Sequence, residues 1–261
     1  MTESPSVIWQ IDEGVAIVRL NRPERLNALT LEMLDRLRHT LDEVVAAGAR
    51  AILVTGEGRA FCSGADLASS EDRLTKRDLG DAVRAHYNPL AQTFAALQVP
   101  VVTAVNGAAA GAGVSIALSG DIVVAARSSY LLLAFANIGL VPDAGATWLI
   151  GRSAGRLKLL EMALPGERLT ANAALDAGLV TRVADDDALL ETALALARKL
   201  AAMPTVALGL IRKQAAVALS GTLSDLLEVE AVHQRRAADT SDFREGVAAF
   251  LDKRKPSFTG Q

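Results

Sequence analysis

The sequence has little cysteine and little histidine. Its one cysteine, Cys62, excludes a disulfide within the chain and is typical of a reducing compartment. The three histidines, His39, His86 and His233, are scattered and unpaired in predicted helices. This spacing favours neither a metal site nor a Ser-His-Asp set, so no metal is expected.

Charge of one sign is not in excess either. Lys and Arg number 27 against 30 Asp and Glu, and the densest basic run, Lys253-Arg254-Lys255, is short. Nucleic acid is therefore not an expected partner. No uninterrupted apolar segment is long enough to cross a bilayer, and the N-terminus has no basic stretch followed by an apolar one. These patterns predict a cytoplasmic protein that binds no membrane.

Hydrophobic residues, by contrast, are plentiful. They make up 51% of the 261 residues, enough for a large core. Strand and helix patterns alternate over the first two-thirds, which predicts an α/β fold with a mainly parallel sheet. Only helices are predicted after Asp187. We divide the chain into a core at 1–200 and a helical region at 201–261, whose apolar surplus either packs on its own core or forms an oligomer.

Three local patterns predict where helices begin and break. Thr30 is expected to cap a helix from Leu31 to about Ala47. Pro89 is expected to interrupt a weaker helix over 81–97. Asp242 with Glu245 is similar to a capping box at the start of the last helix.

The stretch from Val99 to Asp143 organises the rest of the chain. A buried strand, Val101–Val105, is broken by Asn106 and Gly107, and a segment of small residues then becomes helical. Such a turn aims backbone N–H groups at an anion or a developing oxyanion. On these residues alone, a tight strand-to-helix connection in which glycines permit close packing is the favoured interpretation.

Two longer motifs are similar to those of a known family. The segments 59–67 (RAFCSGADL) and 106–113 (NGAAAGAG) resemble the two signature loops of the crotonase family, the enoyl-CoA hydratase/isomerase superfamily. Arg25 to Leu29 resembles its first loop that contacts coenzyme A. The resemblance covers nearly the whole chain, and further matching segments follow in the family's order at 138–143, 175–180 and 242–256.

The resemblance implies a fold, a substrate class and an assembly. The fold is a spiral of ββα turns that forms two roughly perpendicular sheets, followed by a helical C-terminal trimerisation region. The expected assembly is a homotrimer or a dimer of trimers. The substrate is an acyl-CoA thioester, so coenzyme A arrives with the substrate and no cofactor is bound permanently. Two backbone N–H groups stabilise the thioester enolate, because fixed donors at the charged oxygen lower the barrier.

The resemblance also assigns roles to residues. The two N–H donors are expected at Ser63 and Ala112, and Gly64, Gly111 and Gly113 let the thioester approach. Cys62 is expected to be a small buried hydrophobe, and Asp66 and Asp121 to fix loops through backbone N–H groups. Beside these glycines, the expected substrate-binding residues are Arg25, Leu26, Ala28, Ala60, Ala65, Asp66, Leu67, Phe135, Lys255 and Phe258.

The expected reaction depends on which carboxylates are present. Hydratases of the family hold water with two glutamates, and this chain has Ser115 and Phe135 at those positions. Asp143 matches the catalytic base of the branch that contains enoyl-CoA isomerases and the ring-epoxide isomerase of phenylacetate breakdown. Asp143 is also a natural cap for the helix that follows it, and the two roles are compatible, with the catalytic one favoured.

An isomerase with Asp143 as base is therefore the first hypothesis. A hydratase with other carboxylates, a dehalogenase and a non-catalytic binding protein remain alternatives. A dehalogenase would also need an aromatic cage and a histidine that activates water, and neither is evident in the sequence.

Overall fold

The computed structural model describes residues 5–67 and 79–261, and within them the chain forms two β-sheets. The larger sheet has six strands in the order β1-β2-β3-β5-β7-β10, and the smaller has four in the order β4-β6-β8-β9. The strands are β1 (Val7–Asp12), β2 (Val15–Leu20), β3 (Ala51–Gly56), β4 (Ala60–Cys62), β5 (Val101–Val105), β6 (Ala108–Ala110), β7 (Ile122–Ala126), β8 (Tyr130–Leu132), β9 (Arg168–Thr170) and β10 (Arg182–Ala184).

Helices follow the paired strands. The second, α2, is continuous through three parts: Leu79–Ala82, a π-helical turn at Val83–Tyr87, and Asn88–Ala96. The others are α1 (Leu31–Ala46), α3 (Ala112–Leu118), α4 (Ala146–Ser153), α5 (Gly155–Ala163), α6 (Ala171–Asp176), α7 (Leu189–Ala201), α8 (Thr205–Ala218), α9 (Leu223–Ala238) and α10 (Ser241–Leu251).

The spiral arises because successive strands enter different sheets. β3, β5 and β7 lie side by side and parallel in the larger sheet, and the strands that follow them, β4, β6 and β8, lie in the smaller. The turns between the paired strands therefore meet along one edge. The predicted α/β class with a mainly parallel sheet is confirmed, and among the described strands only the pairs β1–β2 and β8–β9 are antiparallel.

The central strands β3 and β5 of the larger sheet are buried on both faces. Alternate residues of β3 point to opposite sides, so Ile52 and Val54 join the main core while Ala51 and Leu53 face α7. The small side chains of Ala193 and Ala197 let α7 lie close to the strands. No single helix among the described residues is long and apolar enough to span a membrane. Helices α7 and α8 are long and apolar enough only when taken together, and the chain bends by 107° between them.

Helix α1 forms as predicted, whereas α2 forms without the interruption that was predicted at Pro89. The Thr30 hydroxyl accepts a hydrogen bond from Met33 N at 3.1 Å and caps α1. Pro89 was expected to break the next helix, yet α2 continues through it. The π-helical turn lies just before Pro89, where the proline ring would otherwise meet the carbonyl of Ala85.

The predicted capping box at Asp242 is wrong. Thr240 caps α10 through its hydroxyl, and Asp242 is buried. Its carboxylate accepts hydrogen bonds from the N–H groups of Thr259 at 2.7 Å and Gly260 at 2.8 Å. Asp242 therefore holds the C-terminal tail against the helix, a long-range contact that local sequence spacing cannot reveal.

Candidate active site

A cavity of about 890 Å³ opens where the turns after β4 and β6 meet the segment 134–145 and helix α2. Most of its wall is apolar, with contributions from α1 and α2 as well as from the two turns. The structure brings nine of the predicted site residues to this wall: Ser63, Gly64, Ala65, Asp66, Leu67, Gly111, Ala112, Phe135 and Asp143.

The two signature turns are in contact through their glycines. Gly64 has φ +90° and Gly111 has φ +53°, which are left-handed conformations that glycine adopts without strain. A Cβ on Gly64 would lie 2.9 Å from the carbonyl oxygen of Ala110, and one on Gly111 would lie 3.6 Å from Gly64 Cα. Glycine is therefore required at Gly64 for conformation and space together.

The prediction that Ser63 supplies an oxyanion donor is wrong, because its N–H already donates a hydrogen bond within the protein. Ser63 N donates to the carbonyl of Leu26 at 3.0 Å. Two residues later, the chain pairs with Leu29 in a parallel bridge: Leu29 N donates to Gly64 O at 2.8 Å, and Asp66 N donates to Leu29 O at 2.9 Å. These hydrogen bonds use the carbonyl of Gly64 and the N–H of Asp66, on either side of Ala65. The N–H of Ala65 itself has no partner in the described part of the chain.

The predicted donor Ala112 has a free N–H. Ala112 is the first residue of α3, where the N–H has no acceptor within the helix. Its neighbours are engaged, since Gly111 N donates to Leu132 O at 2.9 Å and Val114 N to Gly111 O at 3.0 Å. Within residues 5–67 and 79–261, Ala65 and Ala112 thus supply two unpaired N–H groups on the wall of one cavity.

Asp143 is held in place through hydrogen bonds to its backbone carbonyl. Its carbonyl accepts hydrogen bonds from the Ser115 hydroxyl at 3.2 Å and from Ala146 N at 3.0 Å. The next residues, Ala144 and Gly145, both have positive φ. The predicted capping role is wrong, because Gly145 occupies the cap position of α4 without a side-chain hydrogen bond.

The environment of the Asp143 carboxylate favours its neutral form. The residue is half-buried, and its Oδ1 is buried without a hydrogen-bond partner among the described residues. Burial raises the pKa of Asp143 to about 6, while a backbone hydrogen bond opposes the shift. A carboxylate with this pKa is ionised near neutral pH and is a stronger base than an exposed one.

The other carboxylates on the wall differ from Asp143. Glu32 is exposed in the first turn of α1. Asp66 forms an ion pair with Arg22, whose guanidinium lies 2.9 Å from Oδ2. At the two positions of the hydratase glutamates, Ser115 binds the Asp143 carbonyl and Phe135 lines the cavity.

Sequence reasoning missed Tyr87, the last residue of the π-helical turn. Its side chain is 7% exposed and lines the same cavity as Asp143. Burial, and next the negative charge of Asp143, raise the pKa of the Tyr87 hydroxyl above its ordinary value. The preceding His86, expected to be unpaired, lies with Nδ1 3.0 Å from both carboxylate oxygens of Asp35. No motif marks these residues, since the helix that carries them has an irregular pattern.

Several predicted binding residues do not line the cavity. Arg25 is exposed, and the carbonyls of Leu26, Ala28 and Ala60 are bound by Ser63 N, Arg22 and Asn27. The predicted sites outside the wall are Arg25, Leu26, Ala28, Ala60, Gly113, Lys255 and Phe258.

Three of these outlying positions have clear structural surroundings. A Cβ on Gly113 would lie 2.4 Å from Cys62 O, so this glycine permits close packing. Phe258 lines a second, apolar cavity of about 400 Å³ beside α10, and Lys255 is exposed. Cys62 is buried as expected, which raises the pKa of its thiol to about 12.

Comparison with known proteins agrees with this geometry. Residues 10–261 match the family model described as enoyl-CoA hydratase/isomerase. The 1,2-epoxyphenylacetyl-CoA isomerase of Escherichia coli (strain K12) is 46% identical over 258 residues, which cover 98% of each chain. The 2,3-dehydroadipyl-CoA hydratase of the same organism is 35% identical over 95% of this chain and 96% of its own.

A solved structure shows the same fold. The enoyl-CoA hydratase of Polaromonas sp. JS666 superposes with a TM-score of 0.91 at 34% sequence identity, covering 97% of this chain and 99% of its own. The two-sheet spiral is therefore the crotonase fold. The chain belongs to the enoyl-CoA hydratase/isomerase family, which is a family of enzymes of the crotonase superfamily.

Proposed function

We propose that this protein is an acyl-CoA isomerase that uses Asp143 as its base and the N–H groups of Ala65 and Ala112 as its oxyanion hole. One observation carries the proposal: a half-buried carboxylate with an unpaired oxygen lines the same cavity as two unpaired backbone donors. The similarity to an enzyme named 1,2-epoxyphenylacetyl-CoA isomerase, at 46% identity, supports isomerisation rather than hydration.

The proposed mechanism moves one proton along the acyl chain. With a 3-enoyl-CoA, Asp143 removes a proton from C2, beside the thioester carbonyl. The electron pair moves onto the carbonyl oxygen, and the N–H groups of Ala65 and Ala112 stabilise the resulting dienolate. Protonated Asp143 then returns the proton to C4, which leaves the double bond between C2 and C3 in conjugation with the carbonyl.

A hydratase is the second candidate, and it would need a second acid to position water. Glu32 and Asp66 are the other carboxylates on the described part of the wall. Glu32 is exposed and Asp66 is paired with Arg22, so neither shares the environment of Asp143. Isomerisation requires only one carboxylate, and this requirement matches the site better.

The test is turnover of a short 3-enoyl-CoA by the purified protein, followed as growth of conjugated-enoyl absorbance. Asp143→Asn keeps the shape of the side chain but removes the base, so we expect turnover to fall about 10²–10⁴-fold. Binding of a non-reactive acyl-CoA should persist in this variant.

Glu32→Gln is the matched control, because it removes a carboxylate from the wall of the same cavity. We expect this variant to change turnover less than about threefold. Equal losses of turnover in Asp143→Asn and Glu32→Gln would instead indicate that two carboxylates are needed, which contradicts the mechanism with a single base. No turnover of 3-enoyl-CoA or of a ring-epoxide acyl-CoA, together with hydration of a 2-enoyl-CoA, would overturn the isomerase proposal.

We also propose that the chain works as a homotrimer or a dimer of trimers in the cytoplasm, with coenzyme A extending past Arg25 and Lys255. Both cationic side chains are exposed and available to phosphate groups. Apolar residues of the C-terminal helices are strongly exposed in the single chain, among them Leu223 at 71% and Phe250 at 83%. Light scattering should give three or six times the mass of the chain, and a monomer would contradict this proposal.

A further inference from the structure

Tyr87 lines the cavity but has no role in the proposed mechanism. The π-helical turn Val83–Tyr87 brings both of its end residues to the cavity wall. The turn is anchored to α1 by His86, whose Nδ1 lies 3.0 Å from both carboxylate oxygens of Asp35. π-Helical turns are frequently found at functional sites, and this one ends in a buried aromatic side chain on the cavity wall.

The hydroxyl of Tyr87 has no hydrogen-bond partner within residues 5–67 and 79–261. The side chain is nevertheless only 7% exposed, and its ring belongs to the main core. The unpaired Oδ1 of Asp143 is fully enclosed, whereas the Tyr87 hydroxyl is not. Because Tyr87 lines the cavity, its hydroxyl opens into this space. Because no described residue occupies it, this hydroxyl is available to a molecule bound in the cavity.

The charge around Tyr87 decides which hydrogen-bonding role it has. Burial and the Asp143 carboxylate both raise the pKa of the phenol, so it remains protonated. The structure describes no hydrogen bond between Tyr87 and Asp143, and both line one cavity, so a bound acyl group meets a donor and an acceptor there. Phe135 and most of the remaining wall offer only apolar contact to the acyl group.

We propose that Tyr87 contacts the substrate and donates a hydrogen bond to an oxygen on the acyl group beyond the thioester carbonyl. The enzyme would therefore select oxygenated acyl-CoA thioesters, such as those with an epoxide or a hydroxyl group, over hydrocarbon ones. This inference rests on the proposed function for the position of the acyl group, and it adds the substrate class.

The test measures binding, so that it does not depend on turnover. The probes are phenylacetyl-CoA and its 2-, 3- and 4-hydroxy derivatives, with affinities determined by calorimetry for the wild type and for Tyr87→Phe. At least one hydroxylated thioester should bind the wild type about 3- to 10-fold more tightly than phenylacetyl-CoA, the contribution of one neutral hydrogen bond. In Tyr87→Phe, which keeps the ring and its packing, this ratio should fall to about one.

Tyr130→Phe is the matched control, because the chain has only two tyrosines and Tyr130 packs against Arg168 outside the cavity wall. This control should keep the wild-type ratio. Equal affinity of the wild type for all four thioesters would overturn the inference, and so would a ratio that survives in Tyr87→Phe. If the wild type shows the ratio but isomerises no substrate, the proposed function fails while the role of Tyr87 stands.

Discussion

Two parts of the cavity wall present their polar groups in different ways. The backbone wall, made of Gly64, Ala65, Gly111 and Ala112, offers main-chain N–H groups between contacting turns. The side-chain wall, made of Tyr87 and Asp143, offers a phenol and a carboxylate oxygen, Oδ1, that have no hydrogen-bond partner in the described part of the chain. Side-chain identity matters little on the first wall provided that the backbone can form, whereas single polar atoms decide the chemistry of the second.

On the backbone wall, the largest effect is expected from removing one N–H donor. Ala112→Pro deletes the N–H at the first position of α3, where proline is compatible with a helix. We expect turnover of 3-enoyl-CoA to fall about 10²–10³-fold, because one oxyanion donor is lost.

Ala112→Ser is the control, since it keeps the N–H and changes only the side chain. It should remain within about threefold of the wild type. If the serine variant were as inactive as the proline variant, the side chain rather than the N–H would be the essential group.

The second effect separates backbone strain from contact between the turns. Gly64→Ala adds a Cβ at 2.9 Å from Ala110 O in a residue with φ +90°. We expect the free energy of unfolding to fall by more than about 2 kcal/mol and activity to fall at least about tenfold, because both the turn and the donor shift.

Gly139→Ala provides the comparison, because Gly139 has φ +75° but no atom within 4 Å of the added Cβ. Only the conformational strain of about 1 kcal/mol should appear there. Equal destabilisation of the two variants in thermal or denaturant unfolding would show that contact between the turns is unimportant.

The third effect tests the side-chain wall by pH. Because burial raises the pKa of Asp143 to about 6, kcat/KM should increase with pH and level off above this value. At pH 5 it should be about tenfold lower than on the plateau. A profile that is flat between pH 5 and 8 would argue against Asp143 as the base.

The same pKa shift affects stability. Between about pH 4 and 6 the folded state holds the Asp143 proton that the unfolded state has lost, so the free energy of unfolding decreases as pH rises. The expected contribution is about 1–3 kcal/mol, and it should be absent from the pH profile of stability of Asp143→Asn. Denaturant unfolding of both proteins across this range measures it.

The smallest effect is expected at Ser63. Its N–H binds Leu26 O, and its hydroxyl lies 3.4 Å from the carbonyl of Arg25. Ser63→Ala should therefore change turnover less than about threefold, since neither the backbone hydrogen bond nor the Ala65 donor depends on the hydroxyl. A loss above tenfold would restore Ser63 as a functional residue.

The sequence by itself determined the α/β class, the cap at Thr30 and the two glycine turns, and its family resemblance marked Asp143 as the candidate base. These features follow from periodicity, local capping and motif residues, each of which acts over a few neighbouring positions. The three-residue strands β4, β6 and β9 were not predicted, because they are too short to show a period of their own.

Tertiary structure alone decided which groups are free to act. The sequence shows Ser63 and Ala65 in one turn, but only the bonds to Leu26 and Leu29 determine which N–H remains unpaired. The sequence likewise places Tyr87 in an irregular helix, and only folding brings it beside Asp143 on a buried wall. The physical reason is that hydrogen-bond partners and burial come from residues distant in the chain, and these partners decide which donors and acceptors remain for the substrate.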